Sequence, residues 1–190
     1  MRYLFILIFI TSLHSCSYFL REPRNPPSVN GTRVDDSLRK IYVQNFQNNS
    51  YGPPLHVLLS QGVKSEIDRR GRFIQTRDKS QANYRLYGSI NHYQRIGNIM
   101  DMGNQELSSE ITVICRIELQ EVGGERVPLE RDELMIRGYF SDQLGYRESE
   151  EQAQARITRN LSIRISEEIE TAWYDFIKKK YYPNSTDTEE

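Results

Sequence analysis

The apolar stripe between Arg147 and Lys180 constrains the fold more than any other feature of the chain. Ile157, Leu161, Ile165, Ile169, Ala172, Trp173 and Phe176 recur every three or four residues, the spacing that lines one face of an α-helix. Arg156, Arg159, Arg164, Glu167, Glu168 and Glu170 fall on the other face and read as a solvated side. A helix of about 45 Å, at 1.5 Å rise per residue, hides so long a stripe only against a broad apolar partner.

The sequence supplies that partner as strands. Tyr84, Leu86, Gly88 and Ile90 alternate with polar neighbours, and the pattern runs on to His92. Ile111, Val113, Cys115, Ile117 and Leu119 do the same, as do Leu134, Ile136, Gly138 and Phe140. Period-two alternation is the mark of an antiparallel sheet covered on one side. Val122-Gly123-Gly124-Glu125 reads as a hairpin turn, because glycine accepts the positive φ such turns need. The stretch from Gly97 to Ser109 reads as the longest polar connection in the domain. Upstream, Lys40 to Phe46 is a short strand. Pro54 then stands where a helix begins, Leu55, Leu58, Leu59, Val63 and Ile67 recur at helical spacing, and Gly71 stops the helix. Gly62 inside it costs about 1 kcal/mol relative to alanine.

The expected fold is α+β: a two-layer sandwich with a four-stranded, mostly antiparallel sheet and two helices on one face, in the order β-α-β-β-β-α. The intervening helix lets the first two strands run parallel. The domain spans residues 40–180, and the polar residues 181–190 read as a disordered tail.

Ahead of the domain, Arg2 precedes an unbroken apolar run from Tyr3 to Ile10. About 8 residues of helix reach roughly 12 Å, too short for a ~30 Å hydrocarbon layer, so residues 1–15 read as an export signal. Leu13-His14-Ser15-Cys16 resembles a bacterial lipobox. A thiol is what that modification requires: sulfur takes a diacylglyceryl thioether with palmitate-type chains, and cleavage leaves Cys16 first. Cys16 is thus the expected lipidation site. Stable anchoring takes at least two lipid signals, so the mature chain is expected to be moored to a membrane surface. Ser17 follows Cys16, which by resemblance to many bacterial lipoproteins permits transfer to the outer membrane. Pro23, Pro26, Pro27, Asn25, Asn30 and Gly31 give residues 16–39 the composition of a linker.

Chemistry is sparse. Lys plus Arg is 25 against 26 Asp plus Glu, a net charge of −1, which argues against nucleic acid as partner. With Cys16 lipidated, Cys115 has no disulfide partner, and its alternating apolar neighbours make it a buried, inert thiol. His56 and His92 are each alone in sequence, with no acid or Cys at ligand spacing. No catalytic residue, metal site or cofactor is expected. The twelve tyrosines fit sheet packing and also fit a surface that meets another protein.

The order of these pieces resembles the LptE family. The resemblance rests on the lipobox at Cys16, Ile41-Tyr-Val-Gln-Asn-Phe46, Pro53-Pro54-Leu55 opening a helix, Ala82-Asn83-Tyr84-Arg-Leu86-Tyr-Gly88-Ser-Ile90, and Arg137-Gly-Tyr-Phe140 running through a polar loop into a helix that ends near Trp173. The family commonly has Ala-Asp where this chain has Ala82-Asn83. The resemblance implies a non-enzymatic lipoprotein that plugs the outer-membrane β-barrel LptD, assists its assembly and contacts lipopolysaccharide, lipid-anchored at the periplasmic face of the outer membrane. It implies basic residues on the loops at one end of the sheet as the glycolipid contact, for which Arg95 and Arg147 are the candidates. The residues themselves leave open a periplasmic adaptor lipoprotein of another envelope machine, such as a cell-wall synthase regulator or a secretion-channel subunit, and a lipid-anchored hydrolase.

Overall fold

A computed structural model describes residues 26–100, 106–141 and 148–183. The leader, Cys16, Arg147 and residues 184–190 lie outside the described residues.

The described residues open with a small hairpin, β1 (Ser28–Val29) and β2 (Thr32–Arg33). Asn30 and Gly31 both take positive φ, 49° and 77°, the two-residue turn that Asn-Gly favours because it matches the twist of the flanking strands. This corrects the reading of residues 16–39 as linker throughout. Pro27 is buried and Val29 and Val34 are 1% and 0% exposed, so this segment is packed against the domain. Pro, Asn and Gly are common to linkers and to tight turns, and here Asn30-Gly31 forms a turn.

Strand β3 (Lys40–Val43), β4 (Gln47–Asn48), helix α1 (Leu55–Arg70), β5 (Ile74–Gln75), β6 (Tyr84–Met100), β7 (Glu106–Glu121), β8 (Arg126–Val127), β9 (Glu133–Phe140) and helix α2 (Glu150–Tyr181) follow. The expected four strands are β3, β6, β7 and β9. The sheet is wider and mixed: β5-β3-β6-β7 in order, β4 added on β6, and β8 and β9 both on β7. Four strands with a single helix crossover are thus corrected to seven among the described residues, because β4, β5 and β8 are two residues each and too short to show a period. The parallel pairing of β3 with β6 is as expected, and β6, β7 and β9 are antiparallel. The expected connection at 97–109 is mostly strand: β6 runs to Met100 and β7 starts at Glu106. Gly123, at φ 74°, turns β7 into β8.

Each long strand buries a row of apolar residues. Tyr84, Leu86, Ile90, Ile111, Val113, Cys115, Ile117, Leu119, Leu134, Ile136 and Phe140 belong to one core with Val63 and Ile67 of α1 and Ile157, Leu161, Ile165, Ile169 and Trp173 of α2. The helices run parallel along each other. Gly62 faces Ser162 so closely that a Cβ on Gly62 would stand 2.3 Å from Ser162 Oγ. Eight residues on, Arg70 Nε donates to Glu170 Oε2 at 2.7 Å. Burial pushes the Glu170 carboxyl up even so. Below α1, the buried Arg39 donates to the Gly71 and Arg72 carbonyls, closing the helix C-terminus. Trp173 Nε1 donates to the Leu38 carbonyl at 3.0 Å. No helix among the described residues is long and apolar enough to cross a membrane.

Candidate interaction surface

Two features remain once the core is closed: the outer sheet face, and the pole where β6, β9 and the start of α2 meet. The outer face of β9 exposes Met135, Arg137 and Tyr139, the first and last at 49% and 60%. They pair across the ladder with Ile114, Thr112 and Glu110, which pair in turn with His92, Gln94 and Ile96. No residue in these rows is buried. The result is a continuous strip that mixes aromatic, aliphatic and charged side chains.

The pole is built by a bulge. Between Ile90 and His92 the β6–β7 register slips by one residue, which reverses the faces of the residues from His92 to Gly97, where the next shift follows. His92, expected to share the inward parity of Ile90, is exposed on the outer face. Tyr93 and Arg95 turn toward the helices instead. Tyr93 Oη donates to Glu150 Oε1 at 3.1 Å, and Gln154 Nε2 donates to both atoms. Burial pushes the Tyr93 phenol up. The Arg95 guanidinium lies 5.3 Å from the Phe140 ring centre, 3.5 Å from Glu150 Oε2 and 3.4 Å from Ser109 Oγ. Arg95 is therefore a strand residue, not a loop residue as expected, held by stacking and by charge.

Helix α2 begins here for a local reason. Ser149 Oγ accepts from the Gln152 amide while Gln152 Oε1 accepts from the Ser149 amide, a capping box that satisfies two helix-end donors. Glu150 and Glu151 sit in the first turn, where the macrodipole favours negative charge. One turn further, Arg156 grips Glu148 with two hydrogen bonds of 2.7 and 2.8 Å and donates to the Tyr139 carbonyl at 3.1 Å. Arg156 holds the Glu148 carboxyl below the usual carboxylate range. Sequence reasoning placed Arg156 on a solvated helix face and missed this pair. The Ser149-x-x-Gln152 box fixes where α2 starts, and was the available signal. Two arginines, each with a carboxylate partner, thus stand at one end of the sheet.

The structure does not bring His56, His92 and Cys115 together. His56 lies in the first turn of α1 and His92 on the outer sheet, 3.4 Å from Gln94 Oε1. Cys115 is 0% exposed, and burial pushes its thiol up to about 12. Among the described residues no three His, Cys, Asp or Glu could hold a metal ion. A groove of about 460 Å³ between α1 and α2 carries hydroxyls as well, but Thr158 and Ser162 donate to the Gln154 and Thr158 carbonyls of their own helix, and Glu66 is held by Arg69 and Arg70.

The LptE family of lipopolysaccharide-assembly proteins matches residues 38–171, from the end of the N-terminal hairpin region to the last third of α2. The chain belongs to the LptE family. Membership makes it a lipopolysaccharide-assembly protein of a non-catalytic lipoprotein family. No curated protein sequence matches it. Among solved structures, this LptE-family chain is similar to uncharacterized lipoprotein B from Nitrosomonas europaea, at TM-score 0.50 and 9% identity, over 84% of this chain and 94% of that one. It is also similar to a minor lipoprotein from Acinetobacter baumannii (TM-score 0.47, 12% identity, 70% of this chain and 94% of that one). The rare lipoprotein B from Shewanella oneidensis matches at TM-score 0.43 and 12% identity, over 72% of this chain and 98% of that one. At such identities the Nitrosomonas likeness speaks for the fold alone.

Proposed function

We propose that this chain is an outer-membrane lipoprotein subunit of the lipopolysaccharide export translocon, which plugs and helps assemble a β-barrel of the LptD type. Cys16 carries the lipid anchor at the periplasmic face. Membership of the LptE family over residues 38–171 carries this reading. The geometry supports it on two counts. Large outer-membrane barrels have polar lumens, and the outer sheet face offers polar, aromatic and charged groups on a rigid ladder. A plug also needs no chemistry of its own, and the histidines and Cys115 stand apart.

In the same reading, Arg95 and Arg147 contact lipopolysaccharide phosphates. Arginine suits that task because its planar fork matches phosphate oxygens. Arg95 is set in place by Phe140 and Glu150, so an incoming phosphate competes with a carboxylate already in position.

The test is affinity purification of a tagged chain from membranes in mild detergent, with identification of the largest associated protein. An LptD-type barrel is expected. A cell-wall synthase in its place, or no barrel at all, would overturn the reading. In parallel, Cys16→Ala should leave the protein soluble in the periplasm, and a variant still held tightly in membranes would refute the anchor.

A further inference from the structure

The start of the packed chain and the end of α2 meet at one pole, opposite the Arg95 end. Tyr174 Oη donates to the Ser28 carbonyl at 3.1 Å, and Val29 and Val34 share the core with Trp173 and Ile177. Residues 17–25 separate Cys16 from Pro26, and a chain of that length reaches at most about 35 Å. Any anchor at Cys16 therefore keeps this pole near its membrane.

The pole has a composition suited to that position. Lys178, Lys179 and Lys180 are consecutive, so at 100° per residue they spread cations over more than half of the helix end. Lys180 Nζ and Tyr181 Oη both donate to the Glu121 carboxylate. Glu121 opens the β7–β8 turn, and its neighbour Val122 is 39% exposed while Tyr181 is 42% exposed. Cations, a half-exposed phenol and an aliphatic side chain are the groups that settle among phospholipid headgroups.

We propose that this pole, with Lys178–Lys180, Tyr181 and Val122, rests on the anionic phospholipid headgroups of the membrane that holds the anchor. The inference rests on the acylation of Cys16. Acyl chains supply the affinity, so the lysines set orientation: once tethered, each lysine favours contact with an anionic surface about fivefold. Lysines at a helix C-terminus also offset the macrodipole, but that role is blind to lipid composition.

The experiment uses the full acylated protein, with the acidic Asp187, Glu189 and Glu190 of its C-terminus kept. It is reconstituted in vesicles of phosphatidylethanolamine with about a quarter phosphatidylglycerol, or of phosphatidylcholine alone, and its lysines are labelled with a water-soluble amine reagent. Labelling of Lys178 and Lys179 should fall about fivefold on the anionic vesicles and recover at about 0.5 M salt. Lys64, on α1 beside Asn45, should not change. Equal labelling on both lipids, with the acyl mass present on Cys16, overturns the headgroup contact and leaves the anchor standing. Protection that extends equally to Lys64 also overturns it. A Cys16 without acyl mass, in protein that fails to sediment with vesicles, overturns the anchor and this inference with it.

Discussion

Replacing Gly62 by alanine sets helix propensity against helix packing. Propensity alone favours alanine in a helix interior by about 1 kcal/mol. The new Cβ, however, would stand 2.3 Å from Ser162 Oγ and 3.2 Å from Ser162 Cβ. Ser162 is 2% exposed, and its Oγ donates to the Thr158 carbonyl at 2.8 Å. The hydroxyl can rotate away, but the Cβ–Cβ approach remains, and relieving it means moving α1 off α2. Overpacking of this kind costs about 1–3 kcal/mol. Packing should therefore win, with a net loss of roughly 1 kcal/mol, or about 2–4 °C in Tm for a domain of this size. Ser162→Gly removes both clashing atoms. The double variant should recover the loss, with a coupling of about 1–2 kcal/mol between the sites. Urea midpoints of the four proteins at constant slope give the cycle. A Gly62→Ala protein more stable than the parent, with no coupling to Ser162, would show that the helices do not meet at this point.

Further outcomes follow from other contacts. A Cβ at Gly88 would lie 2.5 Å from the ring of Phe46, which is 2% exposed and fixed by its amide on Ser60 Oγ; Gly88→Ala should cost about 3 kcal/mol in urea unfolding, and a neutral result would remove β6 from under that ring. Val34→Ala should cost about 2 kcal/mol by thermal unfolding if residue 34 is packed, and nothing if it lies in a free linker. Cys115 should resist iodoacetamide at about pH 8 in the folded protein and react in denaturant. Burial raises that thiol from 9.0 to about 12, so its contribution is whole below pH 9.0. It declines by about 1.4 kcal/mol per pH unit as pH rises toward 12. Cys115→Ala should flatten that decline between 9 and 10, read from urea midpoints across pH.

The long elements are legible because burial on one side forces a period. Ile157 to Trp173 and Ile111 to Leu119 show their faces in sequence, and the structure uses those faces. What stays hidden is set by single residues or by pairing. The Asn30-Gly31 turn is local and readable, yet it sits among prolines whose composition speaks for a linker. Strands β4, β5 and β8 exist only because β3, β6 and β7 offer them partners. The bulge near Asn91 has no residue type that announces it, and it decides the candidate site. Without the slip, the parity of Leu86 and Ile90 carries His92 inward and Arg95 outward, into the polar strip. With it, Arg95 meets Phe140 from β9 and Glu150 from α2, residues 45 and 55 positions later in the chain. Those partners turn a flexible cation into a fixed one. If the pole takes an anionic glycolipid, its affinity depends on exchange of the Glu150 carboxylate for a phosphate, so the same geometry that orients Arg95 also limits how tightly it can bind.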